Sequence, residues 1–183
     1  LNNGYIIKDN IKESLLINNL NNLNFDWSID KKGNRSLSFE GKIFGEEMYS
    51  FDISDIVSSL AKLKSIRSYL FRQQKNLVIK KSVVVEGRDI GTVVFPDANV
   101  KFFLSADIHI RTLRRNKQIE ENNILFDTKK VKDNLVKRDK IDSERKIAPL
   151  VKAKDAYEID TSKKSQLEVF DIAISYIGSN FKF

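Results

Sequence analysis

Three valines in succession, Val83, Val84 and Val85, run directly into Glu86-Gly87-Arg88-Asp89. A short apolar run without polar alternation predicts a strand covered on both faces, the usual setting of a parallel sheet. Residues 100–104 read the same way, and residues 156–160, AYEID, read as a third short strand. Helical patterns follow these strands. One opens at residues 105–107 and runs to about Ile119, and another covers about 127–145. SQLEVFDIAISYI closes the series, with Leu167, Phe170, Ile174 and Ile177 on its inner face. Strands alternating with helices predict an α/β sheet with right-handed crossovers.

The upstream segment has a different texture. Residues 9–20, DNIKESLLINNL, predict a helix with an Asp or Asn cap. In LNFDWSIDKKGNRSLSFEGKIFGEEM apolar and polar residues alternate, and the KKGN turn holds Gly33 between two such runs. This predicts a β-hairpin with further strand towards Ile43 and Phe44, inserted into the α/β scheme. Residues 52–75 return to helical spacing, with Ile56, Leu60, Leu63, Ile66, Leu70 and Phe71 as one core stripe.

Length and composition bound the rest. A chain of 183 residues with 41% hydrophobic and 31% charged residues can bury a core of its own. Without cysteine, neither a disulfide framework nor a thiolate metal site is available. No apolar run reaches the length of a membrane span, and no secretory leader pattern opens the sequence, so the cytoplasm is the expected location and no membrane partner is expected. The net charge is +7. From Lys129 to Lys154 there are ten Lys or Arg against four Asp or Glu, a local excess of six. Such a field attracts polyanions; a solvated helix face is the plainer reading.

Three constellations carry chemistry. Glu86-Gly87-Arg88-Asp89 lies at the carboxyl end of a predicted strand, where open α/β sheets bind ligands. Gly87 admits a turn or a close approach, Arg88 offers a planar fork suited to phosphate, and Asp89 can accept from an amino group or a hydroxyl. A structural Arg–Asp pair capping the sheet is the alternative. Arg111, Arg114, Arg115 and Gln118 share a helical face that could meet a polyphosphate, or simply be solvated. In RDKIDSER, Arg138, Asp142 and Arg145 fall on one helical face, two guanidiniums flanking a carboxylate. That arrangement suits a sugar phosphate; a surface salt-bridge ladder is the alternative. Asp139, Glu144 and Lys146 are read as outer-face residues, and His109 as structural.

In this order, EGRDIGTVVFPDANVKFFLSA, the RxxRR start at Arg111, RDKIDSERKIAPL and DAYEIDTS resemble the bacterial cytidylate kinase family over nearly the whole chain. The resemblance implies phosphoryl transfer from ATP to CMP or dCMP, giving CDP or dCDP, with Mg²⁺ bridging the ATP phosphates. It implies a P-loop nucleoside-monophosphate-kinase core, a parallel sheet flanked by helices, with a small antiparallel β insert and a helical lid. The core would be 1–20, 76–120 and 147–183, the monophosphate-binding insert 21–75, and the lid 121–146. Ser58, Arg67 and Asp89 would contact the cytosine base, and Glu86 would stand beside them. Arg88 would meet the monophosphate, Arg138 and Asp142 would hold ribose and phosphate with Arg145 alongside, and Arg114 would face the ATP phosphates. Arg88, Arg138 and Arg145 would be the catalytic cations. The complete enzyme is expected to be a monomer that binds no nucleic acid.

The sequence departs from the family pattern in three places. None of the glycines at 4, 33, 41, 45, 87, 91 and 178 begins a G-x-x-x-x-G-K-S/T phosphate cradle. Leu1 aligns just after that region, so the first strand, P-loop and first helix are expected to be absent from these residues and the chain to be inactive alone. Glu86 replaces a common Asp, and Ile141 and Ser143 stand where lid arginines occur. Two other readings remain open: a protein that binds CMP without catalysis, and a basic nucleic-acid-binding module.

Overall fold

In the computed structural model, residues 6–7, 10–22, 25–29, 35–39, 41–43, 56–57, 59–78, 82–121 and 127–181 are described. They fall into two units, 1–80 and 81–183.

The first unit opens with a minimal antiparallel ladder, β1 (Ile6–Ile7) against β2 (Asn10–Ile11). Helix α1 (Glu13–Asn19) follows, shorter than the sequence pattern implies because residues 10 and 11 are taken by the ladder. Its Leu16, with Leu20 just beyond it, meets Ile66 and Tyr69 of α2 (Lys64–Leu77), and Leu60 and Leu63 pack against that cluster. The expected continuous helix over 52–75 is interrupted. Residues 61 and 62 turn, and Leu63 is extended at φ −77 and ψ 120. Within α2, Ile66 and Tyr69 at i, i+3 are buried, and Leu70 at i+4 is left exposed.

The expected hairpin is present. β3 (Phe25–Ile29) pairs antiparallel with β4 (Arg35–Phe39), and β4 with β5 (Lys42–Ile43). Phe39 faces Lys42 across a two-residue return whose Gly41 has φ +76, a left-handed conformation that favours glycine. The KKGN turn and Phe44 lie outside the described residues.

The second unit is built on a parallel pair, β6 (Phe102–Ser105) with β7 (Tyr157–Asp160), in the register Phe102↔Tyr157 to Ser105↔Asp160. Helices α3 (Ile108–Glu121) and α4 (Thr128–Glu144) lie between them in sequence, and α5 (Gln166–Asn180) follows β7. Each helix start is fixed locally. Asp127 accepts from Lys129 N, and Ser165 and Glu168 form a reciprocal capping box. Tyr176 of α5 stacks on Tyr157 at 4.3 Å between ring centroids and meets Phe102 edge-on at 5.6 Å. That contact fastens the helix to the sheet. Lys101, just ahead of β6, is nearly buried; it bonds Asp155 at 2.6 Å and donates to the Pro96 carbonyl.

Three expectations are overturned here. Val83, Val84 and Val85 do not form a strand, and Val84 is fully exposed. A strand is stable only if another strand completes its ladder, and among the described residues none pairs with this run. The closing helix presents Val169, Ile172, Tyr176 and Ile177 as its partly covered side, while Leu167, Phe170 and Ile174 are 75%, 60% and 51% exposed. Both flanks of α5 are apolar, so spacing alone did not choose between them. Leu104 of β6 is also exposed at 59%, although it was expected to be buried.

Uncovered Leu104, Leu167, Phe170 and Ile174 should drive self-association of residues 1–183. Light scattering across a concentration series should show growing mass, and Phe170→Glu should reduce it; a concentration-independent monomer would refute this. A second expectation concerns pH. The hydrogen bond from Lys101 holds the Asp155 carboxyl below its ordinary 3.8. Its contribution is therefore present above the unfolded pKa and lost as pH falls through the folded one. Asp155→Asn should lower the melting temperature at neutral pH, and the gap from the parent should shrink as pH falls below the ordinary 3.8.

Candidate active site

The loop after the three valines is shaped by close contact. A Cβ at Gly87 would lie 2.8 Å from Ile90 Cγ1, so only glycine fits without displacing Ile90. Residues Ile90–Val94 form one π-helical turn, a rare geometry often found at functional sites. Its first carbonyls are occupied: Asp89 O accepts from Val93 N at 2.9 Å and Val94 N at 3.2 Å, and Ile90 O from Phe95 N at 2.7 Å. The backbone of Asp89 is thereby pinned.

Helix α4 supplies the opposite wall. Asp142 and Arg145 are three residues apart and meet on one face, with Asp142 Oδ1 at 3.3 Å from Arg145 Nη1. Asp142 Oδ2 lies 3.3 Å from Arg88 Nε, and Arg145 Nη2 lies 3.5 Å from Asp89 Oδ1. The last distance is that of an ion pair, and its geometry falls short of a hydrogen bond. The chain of contacts Arg88–Asp142–Arg145–Asp89 alternates in sign and is neutral. Its members differ in exposure: the side chains of Arg145, Asp142 and Asp89 are 6%, 8% and 13% exposed, and that of Arg88 is 40%. Arg145 Nε donates to Ala148 O at 2.5 Å. Arg138, one turn before Asp142, has a buried Nε without a hydrogen-bond partner among the described residues.

The structure thus brings together Arg88, Asp89, Asp142 and Arg145 from two segments remote in sequence, with Arg138 on the same helix. Glu86 is exposed. Arg67 is on α2 of the first unit, and Ser58 lies outside the described residues.

The second arginine group divides. Arg114 donates to Thr161 Oγ1 at 2.9 Å, to Thr161 O at 2.6 Å and to Lys164 O at 3.3 Å. Thr161 Oγ1 in turn donates to Ser105 O at 3.0 Å. Arg111 Nη1 pairs with Asp139 Oδ2 at 2.6 Å, and Arg115 bonds Gln118 at 2.6 Å. Positions 111, 114 and 115 span about 100° of the helix, enough to send the three forks to three acceptors. Asp139, read as an outer-face residue, instead joins α4 to α3.

The turn after β7 is cross-linked as well. Asp160 Oδ1 accepts from Ser162 Oγ at 2.6 Å and from Ser162 N at 2.9 Å, and Ser162 Oγ accepts from Asp107 N at 2.9 Å. The Ser162 hydroxyl is the main cause that lowers the Asp160 pKa. This ties the carboxyl end of β7 to the start of α3. Sequence reasoning had not singled out Ala148 or Ser162. The Ala-Pro step and the DTS tripeptide were the visible signals. Among the described residues no group of three or more His, Asp or Glu side chains is placed to hold a metal ion, and no helix is long and apolar enough to cross a membrane.

A family model described as cytidylate kinase matches residues 6–179. The chain is 40% identical over 150 residues to the cytidylate kinase of Clostridioides difficile strain 630, covering 82% of this chain and 69% of that protein. It is 39% identical over 170 residues to that of Thermosipho melanesiensis, covering 88% and 78%. It is 35% identical over 182 residues to that of Flavobacterium psychrophilum, covering 98% and 80%.

The pairing around Asp142 has a consequence for stability. Removing Arg145 leaves two nearly buried carboxylates short of a cation, and Arg145→Met should destabilise the second unit by about 3–5 kcal/mol. Arg88→Met removes the more exposed partner and leaves Asp142 its contact with Arg145, so it should cost less than Arg145→Met. Urea unfolding at neutral pH orders the two; equal losses would refute the assignment of Arg145 as the main counter-ion.

Proposed function

Because the chain belongs to the cytidylate kinase family of nucleoside monophosphate kinases, we propose that the Arg88–Asp142–Arg145–Asp89 group is its acceptor site for CMP or dCMP. ATP is the phosphate donor in this reading, and the products are CDP or dCDP. The carrying observation is the alternating charge chain Arg88–Asp142–Arg145–Asp89, three of its members nearly buried, with the unpartnered buried Nε of Arg138 on the same helix. Residues 21–75 act as the monophosphate-binding insert and 121–146 as the lid, on the P-loop kinase core that the family implies.

Arg88 is the most exposed member of the group and the one a phosphate dianion can reach. Its fork turns from Asp142 to the phosphate, and Arg138 Nε provides a second donor. Asp142, relieved of Arg88 but still paired with Arg145, accepts from the ribose. Asp89 accepts from the cytosine amino group, with Glu86 at its rim. Arg88, Arg138 and Arg145 then offset charge on the phosphoryl group during in-line transfer, a reaction in which positioning and electrostatics do most of the work. On the donor side, Arg114 acts through the turn at Thr161 and Lys164 that it holds. Mg²⁺ would be held chiefly by the nucleotide phosphates and would offset their charge; among the described residues no group of three or more His, Asp or Glu side chains is placed to hold it.

A second reading, CMP binding without transfer, is favoured by one observation. Residues 1–183 contain no G-x-x-x-x-G-K-S/T pattern. These residues alone should bind CMP in calorimetry yet show no turnover with ATP in an ADP-release assay. Robust turnover would overturn the need for that cradle.

The base assignment is tested at Asp89. Asp89→Ala should weaken CMP binding roughly ten- to hundredfold, the scale of a lost hydrogen bond involving a charged group. UMP presents a carbonyl where CMP presents the amino group, so its binding should be unchanged or improved. Equal losses for both nucleotides, together with a lowered melting temperature, would make Asp89 only the structural partner of Arg145.

A further inference from the structure

Ala148 is the one non-glycine residue with positive φ among the described residues, at +51. A Cβ makes that region unfavourable, and glycine or asparagine is its usual occupant. Pro149 follows and disfavours the right-handed helical alternative for the residue before it. The Ala148 side chain is buried. Leu150 N donates to Asp142 O at 2.7 Å, so the turn is closed back onto the end of α4. Held in this way, the Ala148 carbonyl accepts from Arg145 Nε at 2.5 Å.

We propose that Ala148 is a positioning residue: its left-handed backbone aims the carbonyl that orients the Arg145 guanidinium towards Asp142 and Asp89. The guanidinium is planar. Fixing Nε on one acceptor fixes the plane, and with it the places of Nη1 and Nη2. Were the carbonyl turned away, a buried Nε–H would lose its acceptor and the fork would rotate to find another. Arg145 would then no longer share Asp142 with Arg88 in the arrangement that leaves Arg88 able to exchange partners. The consequence for nucleotide affinity rests on the acceptor-site reading above; the orientation of Arg145 does not.

Two readouts on residues 1–183 separate these. The first is the NMR signal of the Arg145 Nε–H in the ligand-free protein, identified by its loss in Arg145→Lys. Slow hydrogen exchange is expected in the parent and in Ala148→Gly, which keeps positive φ. Fast exchange is expected in Ala148→Val, whose β-branched side chain resists it. The second is CMP affinity by calorimetry. Ala148→Val should weaken it about tenfold, the scale of one lost charged hydrogen bond, and Ala148→Gly by less than about threefold. In an Arg145→Lys background, Ala148→Val should add nothing, because the two residues act as one unit. Retained slow exchange in a folded Ala148→Val protein, or an undiminished effect in the Arg145→Lys background, overturns the proposal. If Ala148→Val does not fold, Pro149→Ala replaces it: loss of the restriction on Ala148 should speed Nε–H exchange, and unchanged exchange overturns the proposal. A parent protein with slow exchange but no CMP binding would sink the acceptor-site reading and leave the orienting role standing on the first readout.

Discussion

Asp142 is a carboxylate almost withdrawn from water, and the second unit is arranged around satisfying it. A buried carboxylate is tolerated only where cations and donors replace its hydration. Arg88 and Arg145 each face one of its oxygens. Arg145, itself buried, needs acceptors in turn and meets Asp89 and the Ala148 carbonyl. Each group is the solution to its neighbour's desolvation. This coupling holds a loop near residue 88 against the end of a helix near residue 145, two segments that no continuous element connects.

The same coupling gives the group an uneven exposure. Two arginines and two aspartates are neutral together, and Arg88 is the most exposed of the four. Ion pairs with a buried member differ here from those at the surface. Lys117 and Glu121, both exposed and 4.0 Å apart, add little to stability. Arg111–Asp139, partly covered, joins α3 to α4 and so places the helix that carries Arg138, Asp142 and Arg145. Arg114, in contrast, secures the carboxyl ends of β6 and β7. Three arginines that look equivalent in sequence thus hold three different parts of the unit.

Some of this was legible in the residues. Arg138, Asp142 and Arg145 are spaced four and three apart, and any helix with that spacing turns them to one side. The hairpin's alternation and the caps at Asp127 and Ser165 are similarly local. Leu70 was misplaced because positions i+3 and i+4 from Ile66 both lie near its face of the helix, and the packing against Leu16 and Leu20 took Tyr69 rather than Leu70. Leu167, Phe170 and Ile174 were misplaced because α5 is apolar on two flanks, and the aromatic contact of Tyr176 with Tyr157 and Phe102 decided which one packs.

Local pattern therefore determined the helices of the second unit, the β3–β4 hairpin and the one-sided spacing of Arg138, Asp142 and Arg145, because each depends on spacing or chemistry within a few positions. Tertiary structure alone decided three things. Whether Val83, Val84 and Val85 form a strand depends on a neighbour to complete the ladder, and β propensity cannot supply one. Which arginine meets which carboxylate depends on distances between segments remote in sequence. The left-handed turn at Ala148 depends on the bonds that close it onto α4, since an alanine has no intrinsic preference for that conformation.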